Sequence, residues 1–257
     1  MNKNVILLLF TLLFSLATRA EVKSDSTSIK ILLTGASFAE KSNSWFEMGC
    51  EQLGAMPLNR AKGGEAIANT ANKMHEGVLY TKEELEEIDA FVIMQVHNRD
   101  VYEDSQIKPA YTDYQMPIDR SNYAAAYDYV IKRYLSDCYN LKFDKNSRYY
   151  GSLTGKTALV VLCTDWHDAR TLSNESVRKL AAKWGFPLVE FDKYAGFSKN
   201  QLHPVTGAQT SLIYSTDKQV IDGVTYGWHP LRGRNQPVQQ RMAAVFADLM
   251  HKLLLVK

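Results

Sequence analysis

Residues 29–37 read IKILLTGAS, a short apolar run that ends in small and polar residues. The apolar part, from Ile29 to Leu33, predicts a buried β-strand, and Ser37 follows a few residues after it. Further along, Ser44 and Glu47 form the capping-box pattern that marks the start of a helix. A strand that leads directly into a helix is typical of an α/β fold with a parallel sheet.

The same alternation continues along the chain. Apolar runs predict further strands at residues 91–96, 157–163 and 188–191. Helical spacing predicts helices at five further places: from Glu65, around Leu85, after Ser121, over 177–184 and from Pro237. The pattern predicts a three-layer α/β/α sandwich with a mostly parallel sheet.

Two connecting segments stand apart from this alternation. Residues 102–118 are rich in aromatic residues and show no periodicity, which predicts a long loop over one face of the domain. Asp222 and Gly223 form a dipeptide that favours a tight hairpin turn between two short strands.

The first twenty residues have the layout of a secretory signal. Lys3 gives a positive start, residues 5–16 are almost wholly apolar, and small residues follow up to Ala20. The apolar run of about twelve residues is too short to span a bilayer, which needs about twenty. We therefore predict a signal peptide at residues 1–20, one domain at residues 21–257, and export to the periplasm or the extracellular space.

Charge argues against two classes of partner. The chain has 30 basic and 28 acidic residues, and removal of the signal takes away Lys3 and Arg19 and no acid. The mature chain is then close to neutral, so it lacks the positive excess with which proteins bind nucleic acid or anionic lipid. No integral membrane segment is expected once the signal is removed. The three cysteines lie in apolar patterns and are predicted to pack in the core: Cys50, Cys138 and Cys163.

Residues that can carry chemistry follow the predicted strands. In open α/β sheets the loops at the carboxyl ends of the strands hold the site, which points to Ser37, Gly64 and Asn98. A serine nucleophile needs a base, and His229 lies just before the last predicted helix. The backbone N–H of Gly64 and the side-chain amide of Asn98 are donors that can hold an oxyanion. Taken alone, Ser37 is better explained as a loop serine that caps a helix.

In chain order these residues resemble the SGNH hydrolase superfamily, also called the GDSL-like esterases, over nearly the whole mature chain. The block ILLTGAS has Ser37 where the family has its nucleophile, and GWHP has His229 where it has its general base. The blocks NRAKGG and VIMQVHN have Gly64 and Asn98 where the family, together with the serine N–H, forms its oxyanion hole. The resemblance implies a flavodoxin-like fold and a serine esterase without a cofactor, whose substrate is a small-molecule or saccharide ester, with an acylated saccharide as the first guess.

The acid of this family is missing from its usual place. Tyr226 stands three residues before the histidine, where the family has a carboxylate. Asp222 lies seven residues before His229, too far along an extended chain to substitute simply, and is predicted to serve the hairpin turn. The resemblance then implies a dyad of Ser37 and His229, in which a backbone carbonyl or another side chain orients the imidazole.

Two other functions fit parts of the sequence. Asp165 and His167 end a predicted strand and could ligate the metal of a metal-dependent hydrolase, although no further ligands are identifiable; the alternative is a loop that borders the pocket. The tyrosines of residues 102–118 could bind a glycan in a non-catalytic SGNH-like module. His97, next to Asn98, is predicted either to line the pocket or to support it.

Overall fold

Five parallel strands form the central sheet of the computed structural model, which describes residues 28–255. Their order across the sheet is β2-β1-β3-β4-β5. The predicted signal peptide at residues 1–20 lies outside the described residues. The strands are β1 (Lys30–Gly35), β2 (Met56–Asn59), β3 (Ile88–Met94), β4 (Val160–Cys163) and β5 (Leu188–Val189).

Helices cover both faces of this sheet, which confirms the predicted three-layer α/β/α sandwich. The helices are α1 (Trp45–Leu53), α2 (Ile67–His75), α3 (Lys82–Glu87), α4 (Tyr123–Asn140), α5 (Thr171–Trp184), α6 (Phe191–Tyr194), α7 (Thr210–Ile213) and α8 (Pro237–Leu254). The long loop at residues 102–118 contains only two single 3₁₀ turns, at Asp104–Gln106 and Tyr111–Asp113. Among residues 28–255, no helix combines the length and the apolar character that crossing a membrane requires.

Alternate residues of the strands face two separate cores. In β1, Leu32 packs with α2, α4 and α5, whereas Ile31 and Leu33 pack with α1 and α8. On the second side, Trp45 of α1 meets Phe246 of α8 with ring centroids 5.4 Å apart. All three cysteines are buried and free, as predicted from their apolar surroundings. Both faces of the sheet are therefore closed, and only its edges and strand ends are available for a site.

Local sequence explains most boundaries, but the limits of β3, β4 and β5 differ from those predicted. The capping box at the start of α1 forms as predicted, with Ser44 N–H donating to Glu47 Oε2 at 3.2 Å. The strand predicted at residues 188–191 ends at Val189 instead, because the Asp192 N–H bonds Thr164 Oγ1 at 3.2 Å and Phe191 opens α6. The strand predicted from residue 157 begins at Val160, and the strand predicted at residues 91–96 runs from Ile88 to Met94.

A two-stranded hairpin lies outside the central sheet. Its strands are β6 (Lys218–Ile221) and β7 (Val224–Gly227), paired antiparallel. The turn between them is formed by Asp222 at φ +50° and Gly223 at φ +80°, as the dipeptide predicts. Two successive residues with positive φ match the twist of the flanking strands.

Candidate active site

The carboxyl end of β1 carries the serine singled out by the sequence. β1 ends at Gly35, where a side chain has no room because an added Cβ would collide with the Met94 carbonyl oxygen at the end of β3. This close approach brings the loop after β1 and the loop after β3 together at one edge of the sheet. Ser37 lies on the first of these loops and is half-buried.

Ser37 and His229 meet although 192 positions separate them. The Oγ atom of Ser37 lies 2.7 Å from Nε2 of His229. The ring of Phe38 stacks on the imidazole, with centroids 5.1 Å and planes 28° apart. A hydroxyl within hydrogen-bond reach of an oriented imidazole has the geometry of a serine nucleophile and its general base.

A carboxylate that the sequence reasoning missed completes this chain of hydrogen bonds. Asp217 Oδ2 lies 2.7 Å from Nδ1 of His229, and Asp217 Oδ1 accepts the backbone N–H of the same histidine at 2.8 Å. With a proton on Nδ1, the lone pair of Nε2 faces the Ser37 hydroxyl. Partial burial raises the pKa of the Asp217 carboxyl, but the backbone N–H and ring of His229 more than offset this and hold the pKa below its usual value. The side chain that orients the imidazole is therefore Asp217.

The hairpin explains how an acid twelve positions away reaches the histidine. Lys218, the first residue of β6, pairs with Gly227, the last residue of β7. One step further, Trp228 N–H donates to the Asp217 carbonyl at 2.9 Å, which leaves the Asp217 side chain beside His229. The register of the hairpin thus supplies the acid that the local spacing lacks.

Asp222 and Tyr226 have other places in the structure. Asp222 lies in the hairpin turn, at the opposite end of β6 from Asp217, which agrees with its predicted turn role. Tyr226 is buried, and its ring stacks toward His167 with centroids 6.3 Å apart.

Three N–H donors on the loops that follow β1, β2 and β3 have no acceptor among residues 28–255. They are the backbone N–H of Ser37, the backbone N–H of Gly64 and the side-chain amide of Asn98. Gly64 has φ +77°, a conformation that favours glycine. Unpaired donors on loops at the carboxyl edge of the sheet are available to an oxyanion, which is the role the family resemblance implies for these three residues.

The loop before Gly64 is held against the loop that carries Ser37. Asn59 Nδ2 donates to the Ala39 carbonyl at 2.9 Å, and Gly63 N–H donates to Glu40 Oε1 at 3.1 Å. The same Asn59 accepts the N–H of Ala61 at 2.9 Å, which fixes the turn. These contacts hold the glycine loop close to the serine loop.

Asp165 and His167 lie beneath the site and do not line it, which corrects that prediction. Each is about 1% exposed. His167 Nδ1 accepts the Ala169 N–H at 3.1 Å, so Nε2 carries the proton and donates to the Gly227 carbonyl at 2.8 Å. Burial lowers the pKa of His167, which keeps the ring neutral. Both ring nitrogens are engaged, so this histidine offers no lone pair to a metal.

The carboxylate of Asp165 is likewise engaged within the protein. Its Oδ2 pairs with the guanidinium of Arg170, and its Oδ1 accepts the Trp166 N–H at 2.7 Å. Among residues 28–255 there is no group of three or more His, Cys, Asp or Glu side chains that could hold a metal ion. The spacing of Asp165 and His167 thus reflects a buried structural network.

This network anchors the segment that carries the base. Arg170 is fully buried, lies over the Trp228 ring at 4.3 Å from its centroid, and donates to Gln219 Oε1 of β6 at 2.9 Å. Trp166 Nε1 donates to the Trp228 carbonyl at 3.1 Å. Together with the hydrogen bond from His167 to the Gly227 carbonyl, these contacts hold both strands of the hairpin against the buried network.

His97 belongs to the rim of the site. It is half-buried, with its ring centroid 5.3 Å from that of Tyr123 and 6.2 Å from that of Trp228, the residue before the base. Burial lowers the pKa of His97, and the charges of Arg170, Arg120 and Arg99 lower it further.

The tyrosines of the long loop pack inward. Tyr111 and Tyr114 each meet Tyr129 of α4 edge-on, with centroids 6.0 Å apart, and the Tyr114 hydroxyl donates to Asp128 Oδ2 at 2.7 Å. These rings hold the loop to α4, which disfavours the glycan-binding surface considered for them.

The family of the chain follows from its match to a family model. The model DUF5040, described as a domain of unknown function, matches residues 28–254. The chain belongs to this family. No curated protein is significantly similar to the DUF5040 chain in sequence.

One solved structure shares the fold of the DUF5040 chain, and two others are similar to it. A possible lipase from Chitinophaga pinensis DSM 2588 is 10% identical, with a TM-score of 0.53 over 89% of this chain and 100% of that one. A candidate lipolytic protein of the G-D-S-L family from Desulfitobacterium hafniense DCB-2 is 11% identical, with a TM-score of 0.49 over 86% and 99%. A candidate SGNH hydrolase from Slackia heliotrinireducens is 17% identical, with a TM-score of 0.44 over 87% and 99%. The likeness to the possible lipase extends over nearly the whole of both chains, so the DUF5040 chain has the same α/β fold as that protein.

Proposed function

We propose that the DUF5040 chain is a serine esterase that hydrolyses a carboxylic ester by acyl transfer. The observation that carries the proposal is the unbroken hydrogen-bond chain from Ser37 Oγ through the His229 ring to Asp217, with two links of 2.7 Å. A hydroxyl, an imidazole and a carboxylate in this order form an activated nucleophile on many unrelated folds.

In the first half of the reaction the enzyme is acylated. Ser37 Oγ forms a bond to the acyl carbon while its proton passes to His229 Nε2. The carbonyl oxygen becomes an oxyanion, which the donors of Ser37, Gly64 and Asn98 stabilise by about 3 kcal/mol for each good donor. The intermediate collapses, the bond to the alcohol breaks, and His229 gives the proton to the leaving alcohol.

In the second half water replaces the alcohol. His229 Nε2 takes a proton from a water molecule, whose oxygen attacks the acyl carbon bound to Ser37. Collapse of the second intermediate releases the carboxylic acid and returns the proton to Ser37 Oγ. Throughout, Asp217 holds the imidazole in one orientation and stabilises the imidazolium that forms.

A fluorophosphonate probe tests the proposal directly, because it modifies serines that are activated as nucleophiles. We expect stoichiometric labelling of the native protein and none of Ser37→Ala or His229→Gln. Ser198→Ala is the matched control, since the Ser198 hydroxyl bonds a carboxylate, Asp168 Oδ2 at 3.0 Å, rather than an imidazole. Labelling that persists in Ser37→Ala would remove the serine mechanism.

Substrate and location are the finer parts of the proposal. An acylated saccharide, processed after export through the predicted signal at residues 1–20, is the ester we favour from the family resemblance and the N-terminal sequence pattern. N-terminal sequencing of protein from an exporting host tests the export. Retention of Met1 in the exported fraction would contradict it.

A further inference from the structure

Most arginines within residues 28–255 are paired with carboxylates. Ten arginines lie within residues 28–255, and seven of them are within 4.0 Å of an Asp or Glu oxygen: Arg60, Arg133, Arg148, Arg170, Arg178, Arg232 and Arg234. In this part of the chain only three lack such a partner: Arg99, Arg120 and Arg241. Two of these three belong to the candidate active site.

Arg120 is tied to the oxyanion glycine. Its Nη2 donates to the Gly64 carbonyl at 2.6 Å, and this is the one hydrogen bond that its guanidinium makes with residues 28–255. A guanidinium has five N–H donors in a planar fork, so most of this group remains available. The Arg120 side chain is exposed.

Arg99 follows Asn98 directly in sequence and is also exposed. Its side chain forms no hydrogen bond or ion pair with the described part of the chain. Arg99 and Arg120 act on the same two neighbours: their charges lower the pKa of His97 after burial has lowered it, and they oppose the rise that burial causes in the pKa of Tyr123. Arg99 thus follows the proposed oxyanion asparagine, and Arg120 bonds the carbonyl of the proposed oxyanion glycine.

A third arginine, Arg232, contacts the backbone of the serine directly. Arg232 Nη2 donates to the Ser37 carbonyl at 3.1 Å, and its Nη1 lies 3.4 Å from Glu40 Oε2. Glu40 balances this charge, whereas no carboxylate of residues 28–255 lies within 4.0 Å of Arg99 or Arg120. These two guanidinium groups are therefore free to pair with an anionic group of a substrate.

We propose that the ester cleaved here carries an anionic group near its reacting carbonyl, and that Arg99 and Arg120 bind this group. The inference rests on the proposed esterase function and defines its substrate class. Guanidinium forks match the two oxygens of a carboxylate and those of other oxyanions. The anion is attached either to the acyl chain or to the alcohol, and these two arrangements are separate arms of the test.

The test compares two matched pairs of chromogenic esters at low ionic strength. The first pair places the charge on the alcohol: 3-carboxy-4-nitrophenyl acetate against 4-nitrophenyl acetate. The second pair places it on the acyl chain: mono-4-nitrophenyl adipate against 4-nitrophenyl hexanoate. We expect kcat/KM to be about tenfold higher for the anionic member of one pair, and this preference to shrink as salt is added.

Variants then locate the preference. Arg99→Gln and Arg120→Gln should each lower the anionic-to-neutral ratio of kcat/KM several-fold, chiefly through KM of the anionic ester. Arg241→Gln is the matched control, because Arg241 also lacks a carboxylate partner among the described residues but bonds the Ala195 carbonyl at 3.3 Å, away from the site. The ratio should stay at the native value in this control.

The possible failures are distinguishable. Turnover of all four esters with a ratio of one or less in both pairs would overturn the inference and leave the esterase function standing. The inference also fails, with the esterase function intact, if Arg241→Gln lowers the ratio as much as Arg99→Gln does. No turnover of any ester, together with no fluorophosphonate labelling of Ser37, would overturn the proposed function and this inference with it.

Discussion

Nδ1 of His229 lies 2.7 Å from Oδ2 of Asp217, although the two residues are twelve positions apart and belong to opposite arms of a hairpin. We expect Asp217→Asn to lower kcat on a chromogenic ester on the order of a hundredfold to ten-thousandfold, because an amide no longer holds the productive tautomer of the imidazole. Steady-state kinetics with a folded variant check this.

Asp222→Asn is the matched control for that substitution. Asp222 occupies a turn position with φ +50°, which asparagine tolerates, so turnover should stay near the native value. If Asp222→Asn lost as much activity as Asp217→Asn, the assignment of Asp217 would be wrong.

Ser37 and His229 are predicted from the sequence whereas Asp217 is not, and the reason is geometric. The family pattern counts residues along the chain, whereas here the acid is placed by pairing across two strands. The signal was present: a two-residue turn at Asp222 and Gly223 pairs Ile221 with Val224, and the same register continued places residue 217 opposite residue 228. The register of a predicted hairpin can therefore identify a site residue that the spacing along the chain does not.

For Asp165 and His167 the sequence pattern suggests a functional role that the structure does not support. The layered fold was predictable because strand and helix periodicities follow from burial, which acts over many residues. An aspartate and a histidine two residues apart give the same sequence pattern whether their side chains bind a metal ion or other groups of the protein. Only the tertiary partners, Arg170 on one and the Gly227 carbonyl on the other, decide between the two.

Arg170→Met should damage both stability and turnover. Removal of the guanidinium leaves Asp165 buried without its counter-charge, at a cost of about 3–5 kcal/mol in the free energy of unfolding. The hairpin also loses its support under Trp228, and a misplaced base should lower kcat on the order of tenfold to a hundredfold. Urea unfolding and kinetics below the melting transition measure the two effects separately.

Arg178→Met is the control for this prediction. Arg178 lies on α5, which Arg170 precedes, and pairs with the carboxylates of Glu190 and Asp192, which lie outside the hairpin. It should lose stability and keep kcat. A native kcat in Arg170→Met, with stability lowered, would show that the buried network serves the fold alone.

Acid should destabilise the protein through buried histidine. Burial lowers the folded-state pKa of His167, and that of His97 is lowered in the same direction. The unfolded chain therefore binds protons first, so stability is fully present above the unfolded value of about 6.5 and is lost as pH falls from there toward the folded pKa. The slope for one such group is about 1.4 kcal/mol per pH unit.

His167→Gln tests this dependence, since glutamine keeps an N–H for the Gly227 carbonyl and does not titrate. Its free energy of unfolding should fall less steeply between pH 6.5 and pH 5, with the share of His97 remaining. His75→Gln, an exposed residue at the end of α2, should keep the native slope. Parallel slopes for all three proteins would contradict the assignment.

Gly64→Ala should impair turnover more than its effect on stability suggests. Gly64 has φ +77°, and an alanine there costs about 1–2 kcal/mol of backbone strain, which the loop relieves by moving the N–H that we propose as an oxyanion donor. Gly77→Ala is the matched control, because Gly77 has φ +72° and equally open surroundings but follows α2, away from the site. Equal losses of kcat in the two variants would argue against an oxyanion role for Gly64.

Dialysis against a strong chelator should leave ester turnover unchanged. Both nitrogens of His167 and both oxygens of Asp165 already have partners within the protein. Loss of activity that zinc or manganese restores would favour the metal-dependent hydrolase.

The two hydrogen bonds of the His229 ring depend on different parts of the fold. The spacing of Asp217 and His229 is set by strand register, which is local and survives small movements of the hairpin as a rigid piece. The spacing of Ser37 and His229 is set by how that piece docks on the main sheet, through Trp166, His167 and Arg170. If the hairpin packed less tightly on the rest of the domain, the Ser37 hydroxyl would separate from the His229 imidazole while Asp217 still bonded that imidazole. Activity would then be lost before the hydrogen bond between Asp217 and His229 is lost.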